Sequence, residues 1–206
     1  MPGDPYSRLL AGMMPFHNRF RMIYASIQGT LRQPHPQTMP QRQLQALLRQ
    51  TLDLTHHLDG HHQIEETYIF PLLARRMPQF ATTGNDGDTG HIQEHARMHA
   101  ALEQLQSYAE GVERALRGSQ GRKAISEGAG QPAAPEEAEG DQDDDADDAK
   151  RKPWPTSLFD SEHFRTLIDN LGTTLFPHLE AEETSLRPSN IKAAGFTPEE
   201  LARIPM

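Results

Sequence analysis

The sequence predicts an all-α protein: an antiparallel up-down four-helix bundle with a short C-terminal helix and a disordered acidic insertion. Three observations predict it. Apolar residues recur at steps of three and four in four segments, almost no run alternates with the period of two that a strand requires, and one long segment is acidic and nearly free of apolar side chains. Four amphipathic stripes bury one another most simply as a bundle.

The first helix is expected from about Ser7 to Gln28, with Met13, Phe16, Phe20, Ile23, Tyr24 and Ile27 on its apolar face. Gly29, Pro34, Pro36 and Pro40 separate it from the second. The second is expected from about Pro40 to Met77, with the stripe Leu47, Thr51, Leu54, Leu58, His61, Glu65, Tyr68, Leu72. A stretch rich in Gly, Thr and Asp, Pro78 to Gly90, follows. The third is expected from His91 to Arg117 on Met98, Leu102, Leu105, Ala109, Val112 and Leu116. The fourth is expected from near Pro155 to Leu186 on Phe164, Leu167, Ile168, Leu171 and Leu175. Between them, Gly118 to Lys152 includes an acidic run, Glu136 to Asp148, with no apolar residue larger than Ala. Such a stretch buries too little surface to offset its ordering entropy, so 118–152 is expected as a disordered insertion within a single domain spanning 1–206. Thr197-Pro198-Glu199-Glu200 is a capping box with proline at the first helical position, which predicts the short C-terminal helix.

Composition narrows the function. The chain has 206 residues, 29 acidic against 20 basic, for a net charge of −9. That charge disfavours a nucleic-acid binder, which needs a basic surface for phosphates. The absence of Cys excludes a disulfide framework, a thiolate zinc site, an iron–sulfur cluster and a cysteine nucleophile. No stretch approaches the roughly 18 apolar residues of a membrane helix. Met1 to Pro5 shows no basic region leading into an apolar run, so a cytoplasmic protein is expected. Histidine is the unusual component, with 11 residues, most of them clustered.

Two segments repeat. His61-His62-Gln63-Ile64-Glu65-Glu66-Thr67 and His178-Leu179-Glu180-Ala181-Glu182-Glu183-Thr184 share H-x-x-x-E-E-T, and each has a proline four residues later, Pro71 and Pro188. Residues four apart lie one turn apart on one helix face, so each His–Glu pair can converge on a metal. His61 and Glu65 fall in the second stripe, and His178 and Glu182 continue the fourth. A carboxylate in a core needs a counter-charge, which a cation would provide. His62 with Glu66 is a rival register; the repeat alignment favours His61 with Glu65. The third helix carries His91, His95 and His99 at steps of four, of which His95 and His99 lead into the apolar stripe. The first helix offers His17, in register with Met13, Phe20 and Tyr24.

The expected metal ligands are thus His17, His61, Glu65, His95, His99, His178 and Glu182. Five imidazoles and two bridging carboxylates fill nine coordination positions. One oxo or hydroxo bridge between two metals fills two more, which leaves one position of two six-coordinate ions open. Nitrogen and oxygen donors without thiolates suit iron or manganese.

The residues Phe16-His17-Asn18, the paired H-x-x-x-E-E motifs, Glu94-His95-Ala96-Arg97-Met98-His99 and Phe176-Pro177-His178-Leu179 together resemble a hemerythrin-like (HHE cation-binding) domain, in a form similar to fungal single-domain members. The resemblance covers nearly the whole chain outside 118–152. It implies a non-haem, carboxylate-bridged di-iron centre inside a four-helix bundle, with an open position for dioxygen or another small ligand. Marine oxygen carriers of the family use an Asp five residues after the last histidine, whereas this chain has Glu182 four after His178. The expected function is therefore that of a metal-binding protein that binds oxygen or a similar small ligand, or holds iron. A di-iron oxidase or peroxidase-like enzyme, and an iron- or oxygen-responsive interaction module, are the alternative readings. No flavin or reductase segment accompanies the motifs.

Overall fold

The computed structural model describes residues 4–81, 90–127 and 158–205, and no strand occurs among them. Four long helices carry the fold: α1 (Arg8–Leu31), α2 (Gln41–Ile64), α4 (His91–Glu127) and α5 (Ser161–Ser185). Between α2 and α4 lie a π-helical turn (Glu65–Ile69) and the short α3 (Phe70–Leu73); α6 (Pro188–Ala193) and α7 (Pro198–Ala202) follow α5. Helix α1 packs on α2 and α5, and α4 packs on the same two, so the four enclose one interior.

The helix limits follow local chemistry. Helix α1 continues past Gly29 to Leu31, because Leu31 is needed in the core: it is 1% exposed. Helix α5 begins at Ser161 rather than near Pro155. Asp160 caps it, its carboxylate accepting from the backbone N–H groups of Glu162 and His163 at 3.0 Å. Helix α4 runs to Glu127, ten residues into the segment expected to be disordered; extending a nucleated helix needs no further nucleus, and no proline intervenes. The acidic run itself, Glu136 to Asp148, lies outside the described residues. The Thr197–Glu200 capping box forms as expected, with Thr197 Oγ1 accepting from the Glu200 N–H and the Glu200 carboxylate accepting from the Thr197 N–H. Pro188 opens α6 at a first-turn position, where its missing N–H costs nothing.

The second helical segment departs from its expected stripe. The N–H of Phe70 bonds the carbonyl of Glu65, five residues back, which inserts one extra residue into the turn. Every downstream position rotates by about 100°. Ile69, Phe70 and Leu73 therefore face inward, while Tyr68 is 59% exposed and Leu72 only partly buried.

The core falls into two apolar clusters. The larger fills the bundle and includes Phe20, Tyr24, Leu54, Leu58, Met98, Leu105, Phe164, Ile168 and Leu175. The smaller gathers Leu9, Met13, Ile69, Phe70, Phe80, Leu186, Ile191 and Leu201 around α3, α6 and α7. On α1, the two clusters meet between Phe20 and Met13; on α5, between Leu179 and Leu186. His17 and Glu182 occupy those gaps. The apolar interior is interrupted by one polar layer.

Candidate metal centre

Each long helix contributes to that layer. His17 projects from the buried face of α1, His61 and His62 from the last turn of α2, Glu65 from the π turn, His95 from the start of α4, and His178 and Glu182 from the end of α5. All seven are buried. They form two groups whose candidate ligand atoms lie within 4.8 Å of one another: His17, His61, Glu65 and Glu182 in one, and His62, His95 and His178 in the other.

The two carboxylates tie the groups together. Glu65 Oε1 lies 2.9 Å from His61 Nε2 and its Oε2 lies 3.5 Å from His95 Nε2. Glu182 Oε2 lies 3.2 Å from His17 Nε2 and 3.9 Å from His178 Nε2. Each carboxylate thus touches an imidazole from both groups. His62 stacks on His95 with ring centroids 3.9 Å apart.

The outward nitrogens explain why the rings face inward as they do. His17 Nδ1 lies 2.9 Å from Glu183, which also accepts from Arg21 at 2.7 Å. His95 Nδ1 lies 2.8 Å from Glu66, and His178 Nδ1 lies 2.9 Å from Glu94. Ionised carboxylates only accept, so each of these rings donates from Nδ1. In a neutral imidazole the Nε2 lone pair then faces the interior. This is the carboxylate–histidine arrangement that orients metal ligands. It also gives the doubled glutamates of the repeat separate tasks. The first of each pair (Glu65, Glu182) points inward, and the second (Glu66, Glu183) fixes a histidine on another helix.

The layer is unsatisfied as a set of protein groups. Despite these close approaches, His17 Nε2, His61 Nε2, both nitrogens of His62, and both oxygens of Glu65 and of Glu182 are buried and make no hydrogen bond of acceptable geometry among the described residues. His95 Nε2 and His178 Nε2 face each other at 3.1 Å with their Nδ1 protons already committed to Glu66 and Glu94. Burial, and then the neighbouring His178, hold the His95 pKa down to about 2, so it has no second proton to offer. Burial lowers His61 to about 4 and His62 further still. Burial, reinforced by Glu182, pushes Glu65 well above the usual carboxylate range. Burial acts to raise Glu182 as well, but the His17 contact and the nearby imidazoles outweigh it and bring it to about 2. Burial would also raise Glu94, but His178 and His91 hold it at about 2, the charged state in which it accepts from both. Neutral imidazoles beside buried, partnerless carboxylates fit a metal-binding site, since cations between them would satisfy both.

The family model of the hemerythrin HHE cation binding domain matches residues 8–189. The chain belongs to that family. Comparison with curated proteins and with solved structures found no match. As a hemerythrin HHE domain, the chain assembles its cluster from six of the seven residues singled out in the sequence: His17, His61, Glu65, His95, His178 and Glu182. His99 stands apart. Its side chain is 35% exposed and its Nδ1 pairs with Asp59 at 3.1 Å. His62 takes its place in the layer and is fully buried. The sequence held a signal for this in the adjacent His61-His62 pair, but two neighbours on a helix point about 100° apart, and only the packing of α4 and α5 brings His62 inward. His91 is buried as well, between Glu94 and the Ser185 hydroxyl at 3.2 Å, under Phe80.

Proposed function

We propose that this hemerythrin HHE protein holds two iron ions in a carboxylate-bridged, non-haem centre and uses them to bind dioxygen or a similarly small ligand, or to store the metal. The observation that carries the two-ion reading is the bridging position of Glu65 and Glu182, each in contact with imidazoles of both groups. His17, His61, Glu65 and Glu182 would hold one ion, and His62, His95 and His178, with the same two carboxylates, would hold the other. The up-down order of the helices belongs to the same reading. The site lies in the first half of α1, at the end of α2, at the start of α4 and near the end of α5, which are the positions that meet at one level when direction alternates.

Iron bound there would supply redox chemistry toward small diatomic ligands. The chain's own part is to hold the ligands and to keep water out. Glu66, Glu94 and Glu183 fix three imidazoles from behind, and Met13, Phe20, Phe70 and Leu179 wall the layer with apolar groups. A buried, apolar wall gives a bound ligand few protons, which favours holding it over converting it.

Metal analysis of untagged protein, joined to Mössbauer and absorption spectra with and without oxygen, tests the proposal. Two irons per chain with a coupled spectrum is the expected result. One ion per chain at full loading, or tight four-coordinate zinc, would overturn it.

A further inference from the structure

Three of the four large apolar residues that the described surface exposes, Phe16, Ile64 and Tyr68, line one groove. It runs between α1, the last turns of α2 and the π turn, and has a volume of about 690 Å³. That lies within the roughly 300 to 1,000 Å³ of small-molecule sites. Its wall is mainly apolar, and its floor includes His61, whose ring stacks on Phe16 at 5.3 Å. The π turn is what opens it, because the extra residue turns Tyr68 out of the core and onto the rim. Arg19 is the one permanently charged residue of the lining and has no ion pair among the described residues, His56 and His57 add polar rings at the opening, and no Asp or Glu lines the groove.

We propose that this groove binds an amphipathic carboxylate of the fatty-acid class, with its alkyl chain along Phe16, Ile64 and Tyr68 and its carboxylate at Arg19. An apolar trough alone would accept any alkyl chain. The unpaired guanidinium, unopposed by any acid on the lining, selects the anion. Because His61 is shared by groove and metal layer, the occupant lies against the cluster on the α1–α2 side. The groove does not depend on which metal the cluster holds.

Isothermal titration of the full-length protein with decanoate, decanol and decyltrimethylammonium tests this, with metal content measured on the same sample. Saturable one-site binding of decanoate is expected, with the ammonium ligand weaker by about tenfold or more. Arg19→Gln is expected to weaken decanoate about tenfold, the worth of one charge-assisted contact, and to leave decanol unchanged. Phe16→Ser is expected to weaken both. Circular dichroism of both variants should match the parent, since Arg19 and Phe16 are exposed. Absence of saturable binding up to the solubility limit, equal affinity for the cation, or a dimer in sedimentation that Phe16→Ser dissolves would each overturn the proposal. The last result would assign the groove to a second copy of the chain. A metal content other than two irons would leave the titration readable, so failure of the iron reading and failure of the groove are separate results.

Discussion

At the scale of residues, the doubled glutamates carry the design. Glu65 and Glu182 lie in the interior, and Glu66 and Glu183 stand one position on, each bonded to the Nδ1 of a histidine on a different helix. Replacing either outer glutamate leaves all inner donors in place but frees a ring to rotate and lets its tautomer change. Glu66→Gln and Glu183→Gln are each expected to weaken iron binding about tenfold or more, the usual worth of a group that orients a ligand, in competition with a calibrated chelator. Glu65→Ala and Glu182→Ala should abolish binding of the pair, since each carboxylate contacts both groups. His62 and His99 make a sharper comparison. His62→Ala should lose iron from the His62–His95–His178 group, while His99→Ala should keep the full content, because His99 is half-exposed and bonded to Asp59. The reverse outcome in metal analysis would restore His99 to the centre and remove His62.

At the scale of elements, two local features set the geometry. The π turn lets the helical segment end its bundle stripe at Glu65 and start a new one at Ile69 and Phe70, which close the smaller core over the metal layer. The second feature is the close approach of α1 to α5. Tyr24 donates from its hydroxyl to the Ile168 carbonyl at 3.1 Å, and its ring meets Phe176 edge-on at 4.8 Å. That hydroxyl lies against Gly172, where an added Cβ would overlap it. Gly172→Ala is expected to destabilise the fold by about 1 to 3 kcal/mol, as overpacking does, with the denaturant midpoint falling and the slope unchanged. In a Tyr24→Phe background the same substitution should cost less, since the nearest clashing atom is gone.

At the scale of the whole molecule, stability and metal are linked through the buried layer. An imidazole in the unfolded chain takes a proton near 6.5, but His61 in the fold takes one only near 4. Between those values the unfolded state binds more protons, so stability falls as pH falls, on the order of 3 kcal/mol for His61 alone. His62 and His95 act with the same sign. Glu65 acts oppositely, because its raised pKa makes its contribution present at low pH and lost as pH rises. Glu182, lowered to about 2, loses its contribution as pH falls below 4.5. Three imidazoles outnumber the one opposing carboxylate, so metal-free protein should be less stable to urea at pH 5 than at pH 7. Iron should raise the thermal midpoint at pH 7 by an amount that grows with the logarithm of its free concentration, as any ligand of the folded state does. A midpoint unmoved by iron would separate the layer from metal binding altogether.

The sequence by itself determined the helical segments, the family and most of the residues that the fold gathers into the buried polar layer. Periodicity reports which face of a helix is buried, and an i, i+4 pair reports which polar groups share that face, so His61 with Glu65 and His178 with Glu182 were legible one helix at a time. The Thr197–Glu200 cap was legible for the same reason, since both partners lie within one turn. What only the tertiary structure decided is what depends on two helices at once. His62 rather than His99 joins the layer because α4 and α5 close around the end of α2. Tyr68 faces outward because one hydrogen bond, from Phe70 to Glu65, slips the register by a residue, and no spacing in the sequence records a slip of that kind. The pairing of Glu66 with His95 spans 29 residues and that of Glu183 with His17 spans 166, distances over which only packing can bring a carboxylate to a ring.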